Sequence, residues 1–198
     1  MIMIYYDILT HILREEGHLQ VRDNIKLVLQ EPASEFYPAQ TVEVDTNIRN
    51  LQYSIYRFDV VKDDLFPFFK KLSNKDQGKS YNGLLQSCDY IMLCAKNEQT
   101  HVLLFELKRG GAQDAQIQLE ASQMFMEFVK NTARRISRTK GNDLPLQEQE
   151  IKYHKIVIAE SASDKQTTMP DEQCIKSGDV VTICLPKRES LRLRMFLI

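Results

Sequence analysis

Apolar residues recur at helical spacing near the start of the chain, at Ile4, Ile8, Leu9, Ile12 and Leu13, and predict a helix over residues 4–16 that Gly17 would stop. Residues 25–29 read as a strand ended by Pro32, and residues 31–40, with Pro32 and Pro38, as a loop. An imperfect alternation over residues 51–58 predicts a second strand. Val60, Val61, Leu65, Phe68, Phe69 and Leu72 follow, but Pro67 interrupts any single regular helix there, and residues 73–80 form a polar connector.

The clearest pattern begins at Cys88. The run Cys88-Asp89-Tyr90-Ile91-Met92-Leu93-Cys94 and the run His101-Val102-Leu103-Leu104-Phe105-Glu106-Leu107-Lys108 are two apolar strands separated by a short polar gap. A turn centred on Asn97-Glu98 pairs Leu93 with Val102, Ile91 with Leu104, and Asp89 with Glu106. Two carboxylates then face each other across the hairpin, roughly 5 Å apart at Cβ. At an effective dielectric of 20 they repel by about 3 kcal/mol, and a bound cation is the commonest compensation. Lys108, two residues beyond Glu106, points to the same face. A register shifted by two would keep the carboxylates diagonal on that face; a shift of one would separate them.

A long helix is expected next, capped by Asp114 and running to about Ile136, with Ile117, Ala121, Met124, Phe125, Phe128 and Val129 as its buried stripe. Residues 141–149 read as a polar loop, and residues 153–159, 179–185 and 191–198 as three further strands. The order predicts an α/β (α+β) fold, a central mixed β-sheet flanked by helices.

Asp89 after a polar stretch, Glu106-Leu107-Lys108 on the next strand and the Gln-rich helix behind them resemble the PD-(D/E)xK nuclease superfamily, over roughly residues 82–129. The resemblance implies a restriction-endonuclease-like core and hydrolysis of DNA phosphodiester bonds. It implies that Asp89 and Glu106 hold Mg²⁺, with Mn²⁺ as a substitute, that the Leu107 carbonyl is a third ligand, and that Lys108 orients or activates the attacking water. Among Gln116, Gln118 and Gln123, it points to Gln118 as the residue facing the site and contacting DNA or water at the metal. Glu15 or Glu16 on the first helix is a candidate to complete the site. Cys88 stands where the family's motif has proline, a position at which its members vary.

Length and composition fit one domain over residues 1–198, with residues 1–50 a candidate N-terminal elaboration. Such a chain leaves little room for a separate target-recognition domain. A homodimer, or service as the nuclease component of a larger defence, restriction or repair assembly, is the expectation. Cys88, Cys94, Cys174 and Cys184 show no metal-ligand spacing, and Cys88, Cys94 and Cys184, in apolar strands, suit buried thiols in a reducing compartment. The start lacks a basic leader region and no apolar run approaches membrane-spanning length, so a cytoplasmic protein without membrane contact is expected.

A net charge of −1 excludes nucleic-acid binding over the whole surface, so local clusters would have to carry it. Lys130, Arg134, Arg135, Arg138 and Lys140 form one basic run at the end of the long helix, and Lys187, Arg188, Arg192 and Arg194 another. Cations near a helix C-terminus also complement its dipole. His11, His18, His101 and His154 show no spacing that suggests a metal site or triad. Two rival readings stand beside the nuclease: a catalytically inactive nuclease-like subunit that binds nucleic acid or protein, and a carboxylate-pair glycoside hydrolase. The latter gives Lys108 no role, and the chain has no tryptophan for a sugar platform.

Overall fold

A computed structural model describes residues 5–13, 26–33, 35, 38–58, 87–108, 115–138, 150–160, 174–185 and 190–197. Its helices are α1 (Tyr5–Ile12) and α2 (Ala115–Ser137). Its strands are β1 (Lys26–Glu31), β2 (Gln40–Asp45), β3 (Gln52–Arg57), β4 (Tyr90–Lys96), β5 (Gln99–Lys108), β6 (Lys152–Glu160), β7 (Cys174–Ser177), β8 (Val180–Leu185) and β9 (Ser190–Arg192). The fold is α+β. A six-stranded mixed sheet in the order β3-β4-β5-β6-β8-β7 is accompanied by a three-stranded sheet, β1-β2-β9.

Three layers explain why β4 and β5 are almost continuously apolar: a sheet covered on both faces has no solvent side to mark with polar residues. On one face Ile91, Leu93, Val102, Leu104 and Val157 pack with Leu119, Met126 and Val129 of α2 and with Tyr5, Ile8 and Leu9 of α1. On the other, Met92, Leu103, Phe105, Leu107, Ile156 and Ile183 pack with Leu27, Leu29, Val42, Val44 and Leu191 of the small sheet. Among the described residues the helices therefore cover one face only, and the second sheet takes the other. Because β5 and β6 run parallel, the chain has to return along the sheet between them, and α2 makes that crossover.

The hairpin register is the expected one, with Ile91 opposite Leu104 and Leu93 opposite Val102. Two residues, Asn97 (φ 50°) and Glu98 (φ 63°), make the turn with left-handed backbone at both positions. Such a turn matches the right-handed twist of the flanking strands, which is why an Asn-Glu pair closes this hairpin despite the cost of positive φ at glutamate.

Several sequence expectations are corrected. On α2 the buried face is Ala115, Leu119, Ser122, Met126, Val129 and Ala133. Ile117, Met124 and Phe128, expected in the core, are 49%, 75% and 68% exposed. This helix carries apolar residues on two faces, and the sheet takes the one whose small Ala and Ser side chains allow close approach. Of the expected stripe, Val129 is buried and Phe125 is half-buried, its ring 4.8 Å from that of Phe58. Residues 191–198 are not one strand: β9 ends at Arg192 and a 3₁₀ turn, Leu193–Met195, follows. The strand β2 was not anticipated, although its burial alternates inward and outward in the manner of a half-buried strand. It joins the small sheet to β9, 147 positions away in sequence, by the parallel pair Glu43–Ser190 and its neighbours. The strand β7 was also missed. The expected irregular segment over residues 59–72, the connector at 73–80, the Asp114 cap, the Gly17 stop and the loop at 141–149 lie outside the described residues.

His101 and His154 do have partners, each other. His101 Nδ1 and His154 Nε2 lie 3.1 Å apart on neighbouring strands, with Phe196 against the His154 ring. Burial, reinforced by the neighbouring His154, pushes His101 down to about 4, so the pair is uncharged at neutral pH. No helix among the described residues is long and apolar enough to cross a membrane.

Replacing Glu98 with Gly, which adopts positive φ without steric cost, should stabilise the protein by up to ~1 kcal/mol and raise its melting temperature by a few degrees. A lowered melting temperature would show that the turn does not set this register.

Candidate active site

The end of the β4–β5 hairpin gathers the chemistry. Asp89 directly precedes the last ladder pair, Tyr90 with Phe105, so the register places it opposite Glu106. Asp89 is held from two sides: its Oδ2 accepts the Leu107 N–H at 2.7 Å, and its carbonyl accepts the Phe58 N–H at 2.8 Å. Tyr90, the next residue, anchors the strand to the second sheet, its hydroxyl bonded to both the N–H and the C=O of Gln30 at 2.9 and 2.6 Å.

Strand alternation puts Val102, Leu104, Glu106 and Lys108 on the helix-covered face. Glu106 is 2% exposed. Its Oε1 lies 2.7 Å from Lys108 Nζ, and the same amine donates to Gln118 Oε1 at 2.8 Å. Gln118 in turn donates from Nε2 to the Ser87 carbonyl at 3.3 Å. Asp89, Glu106, Lys108 and Gln118 thus form one connected group. Leu107 stands between the charged pair, its side chain buried on the opposite face and its N–H given to Asp89.

The electrostatics of this group are unbalanced. Burial, then the charge of Asp89, pushes the Glu106 carboxyl up to about 7, and Lys108 only partly offsets the rise. The second carboxylate oxygen, Oε2, is buried without a hydrogen-bond partner among the described residues. Leaving such an acceptor unmatched costs about 1–3 kcal/mol. Ser87 Oγ, two residues before Asp89, is likewise buried and unmatched among the described residues.

That unmatched oxygen is the test of fit for a cation, and the residues pass it: a buried anionic oxygen lacks a positive partner while a second carboxylate stands opposite. Among the described residues no group of three or more His, Cys, Asp and Glu side chains could hold a metal. Two carboxylates completed by a backbone carbonyl and water suit magnesium, which binds few protein carboxylates and keeps several waters.

No protein-family model matches the chain, and no curated protein or solved structure matches it either.

The expected nucleic-acid contacts are placed elsewhere. Lys130 is half-buried and paired with Glu127 at 3.4 Å, while Arg134, Arg135 and Arg138 are exposed at the far end of α2. Sixteen residues separate Arg134 from Gln118, which is about 24 Å along the axis and roughly 160° around it. The basic run and the carboxylate group therefore lie on different sides of the helix. Arg192 and Arg194 are exposed where β9 passes into its 3₁₀ turn. Glu15, Glu16, His18, Lys140, Lys187 and Arg188 lie outside the described residues.

The raised Glu106 carboxyl ties stability to pH. A carboxyl displaced from 4.5 to about 7 in the folded chain favours folding below pH 4.5, and that advantage disappears as pH rises through 7. In chelator the loss should be on the order of 3 kcal/mol. Glu106→Gln should remove most of this dependence, checked by urea unfolding at pH 5 and pH 8. Equal pH dependence in parent and variant would show that Glu106 is not the strained group.

Proposed function

We propose that this chain is a metal-dependent nuclease that hydrolyses DNA phosphodiester bonds, with a site of the PD-(D/E)xK type. One observation carries the reading: Asp89, Glu106, Lys108 and Gln118 meet at one end of the hairpin with a buried carboxylate oxygen unmatched among the described residues. Asp89 and Glu106, with the Leu107 carbonyl, are the residues that would hold Mg²⁺ or Mn²⁺. Such an ion would act as a Lewis acid at the scissile phosphate and lower the pKa of the attacking water. The role of Lys108 is to donate to that water or to neutralise charge as it develops on the phosphate. Gln118 accepts from the Lys108 amine alongside Glu106, which limits where that amine can reach. Burial and Asp89 raise the Glu106 carboxyl, so binding of a cation there would be favoured by higher pH.

The inactive, binding-only subunit is the alternative, and one feature favours it: Lys108 is engaged by Glu106 and Gln118. In a purely structural site that engagement would be permanent.

Cleavage of linear, circular and single-stranded DNA, with Mg²⁺, with Mn²⁺ and with chelator, decides between them. Lys108→Ala should abolish cleavage and spare DNA binding. Asp89→Asn should abolish cleavage and weaken metal binding, because a neutral amide replaces an anionic ligand. Cutting by both variants at the parent's rate would remove the nuclease reading from this site; metal-dependent binding without cutting by the parent would establish the alternative.

The basic end of α2 enters the proposal as a contact for phosphates remote from the reacting one. Arg134→Ala combined with Arg135→Ala should lower the slope of log K against log salt by about two units. An unchanged slope would return both residues to ordinary surface.

A further inference from the structure

The peptide unit between Ser87 and Cys88, immediately before Asp89, is gripped on both edges by α2. Its carbonyl accepts from Gln118 Nε2 at 3.3 Å, and its N–H donates to Ser122 Oγ at 2.8 Å. Ser122 Oγ completes its bonding by donating to the Gln118 carbonyl at 2.9 Å. Gln118 and Ser122 are four residues apart and therefore stacked on one face of the helix. The other end of the Gln118 amide accepts from Lys108 Nζ. A flipped amide would set NH₂ against an ammonium and oxygen against a carbonyl, so only one orientation satisfies both neighbours.

We infer that Ser122 is a positioning residue. With Gln118 it forms a clamp through which α2 sets the Asp89 carboxylate and the Lys108 amine at a fixed separation. Ser122 is fully buried, so no water can replace its hydroxyl, and its loss strands the Cys88 N–H. Without Ser122, the grip of α2 on this peptide is reduced to the Gln118 bond to the Ser87 carbonyl, beside the bonds that Phe58 and Leu107 make to Asp89. Outer partners of metal ligands commonly govern affinity by 10–100-fold. The proposal rests on the reading of Asp89 and Glu106 as cation ligands, although its geometric half stands without a cation.

Two measurements on the full chain test it. The first is hydrogen-exchange protection of the Leu107 amide in metal-free protein, which reports whether Asp89 stays in place. The second is Mn²⁺ affinity, measured by paramagnetic resonance of the free ion. Ser122→Ala should lower Leu107 protection at least tenfold and weaken Mn²⁺ binding by about tenfold or more. Ser122→Thr, which keeps the hydroxyl, should restore both. If the Ala variant does not fold, Ser122→Cys, of similar volume but a weak acceptor, should show the same losses in smaller degree. Ile156→Val, buried on the opposite face of the sheet, controls for general destabilisation and should change neither reading. Parent-like protection and affinity in the Ala variant, or in the Cys variant where Ala does not fold, would overturn the clamp. If the parent shows no Mn²⁺ binding that Asp89→Asn removes, the cation reading fails, and the Leu107 protection still decides the clamp.

Discussion

The pairing of β4 with β5 is the constraint on which the rest depends. A slip of one residue would send every side chain of one strand to the other face, and both faces are core here. The two-residue turn at Asn97-Glu98 sets the register locally, and apolar packing on both sides of the sheet enforces it globally. Asp89 opposite Glu106 is a consequence of that register. No local preference would put two carboxylates there; the rest of the hairpin does.

Glu106 bears the resulting conflict. Burial and Asp89 oppose its charge, Lys108 supports it, and one of its oxygens stays unmatched among the described residues. Two other clusters of ionisable groups in the same sheet are handled differently. His101 and His154 share a hydrogen bond and remain neutral, while Lys155 reaches the exposed Asp179 at 2.7 Å. Both are local solutions complete within the fold. The Glu106 site is not, and strain that a fold leaves unresolved tends to collect where a ligand resolves it.

The α2 helix serves the site and the core with the same face. Leu119, Met126 and Val129 bury against the sheet, and on that stripe Gln118 and Ser122 reach the peptide before Asp89. Ser122 allows close approach and bonds back to the Gln118 carbonyl, and its hydroxyl also takes a second partner outside the helix. Here the partner is a backbone N–H that no strand neighbour satisfies. The apolar outer face of Ile117, Met124 and Phe128 obscured this arrangement in the sequence.

What the sequence determined by itself was short-range. Two apolar runs, a turn taken at Asn97-Glu98 and charges at the strand ends gave the pairing of Ile91 with Leu104 and brought Asp89, Glu106 and Lys108 to one face, the register that the structure has. The spacing of Gln118 from Lys108 was also legible, because strand and helix are both regular and close in sequence. Tertiary structure decided what depends on distant segments: which of two apolar faces of α2 is buried, that β2 joins β9, that His101 meets His154, and that Ser122 holds the Cys88 amide. Periodicity says how residues share a face but not which surface that face will meet, and burial, the source of the Glu106 imbalance, exists only once that surface is in place.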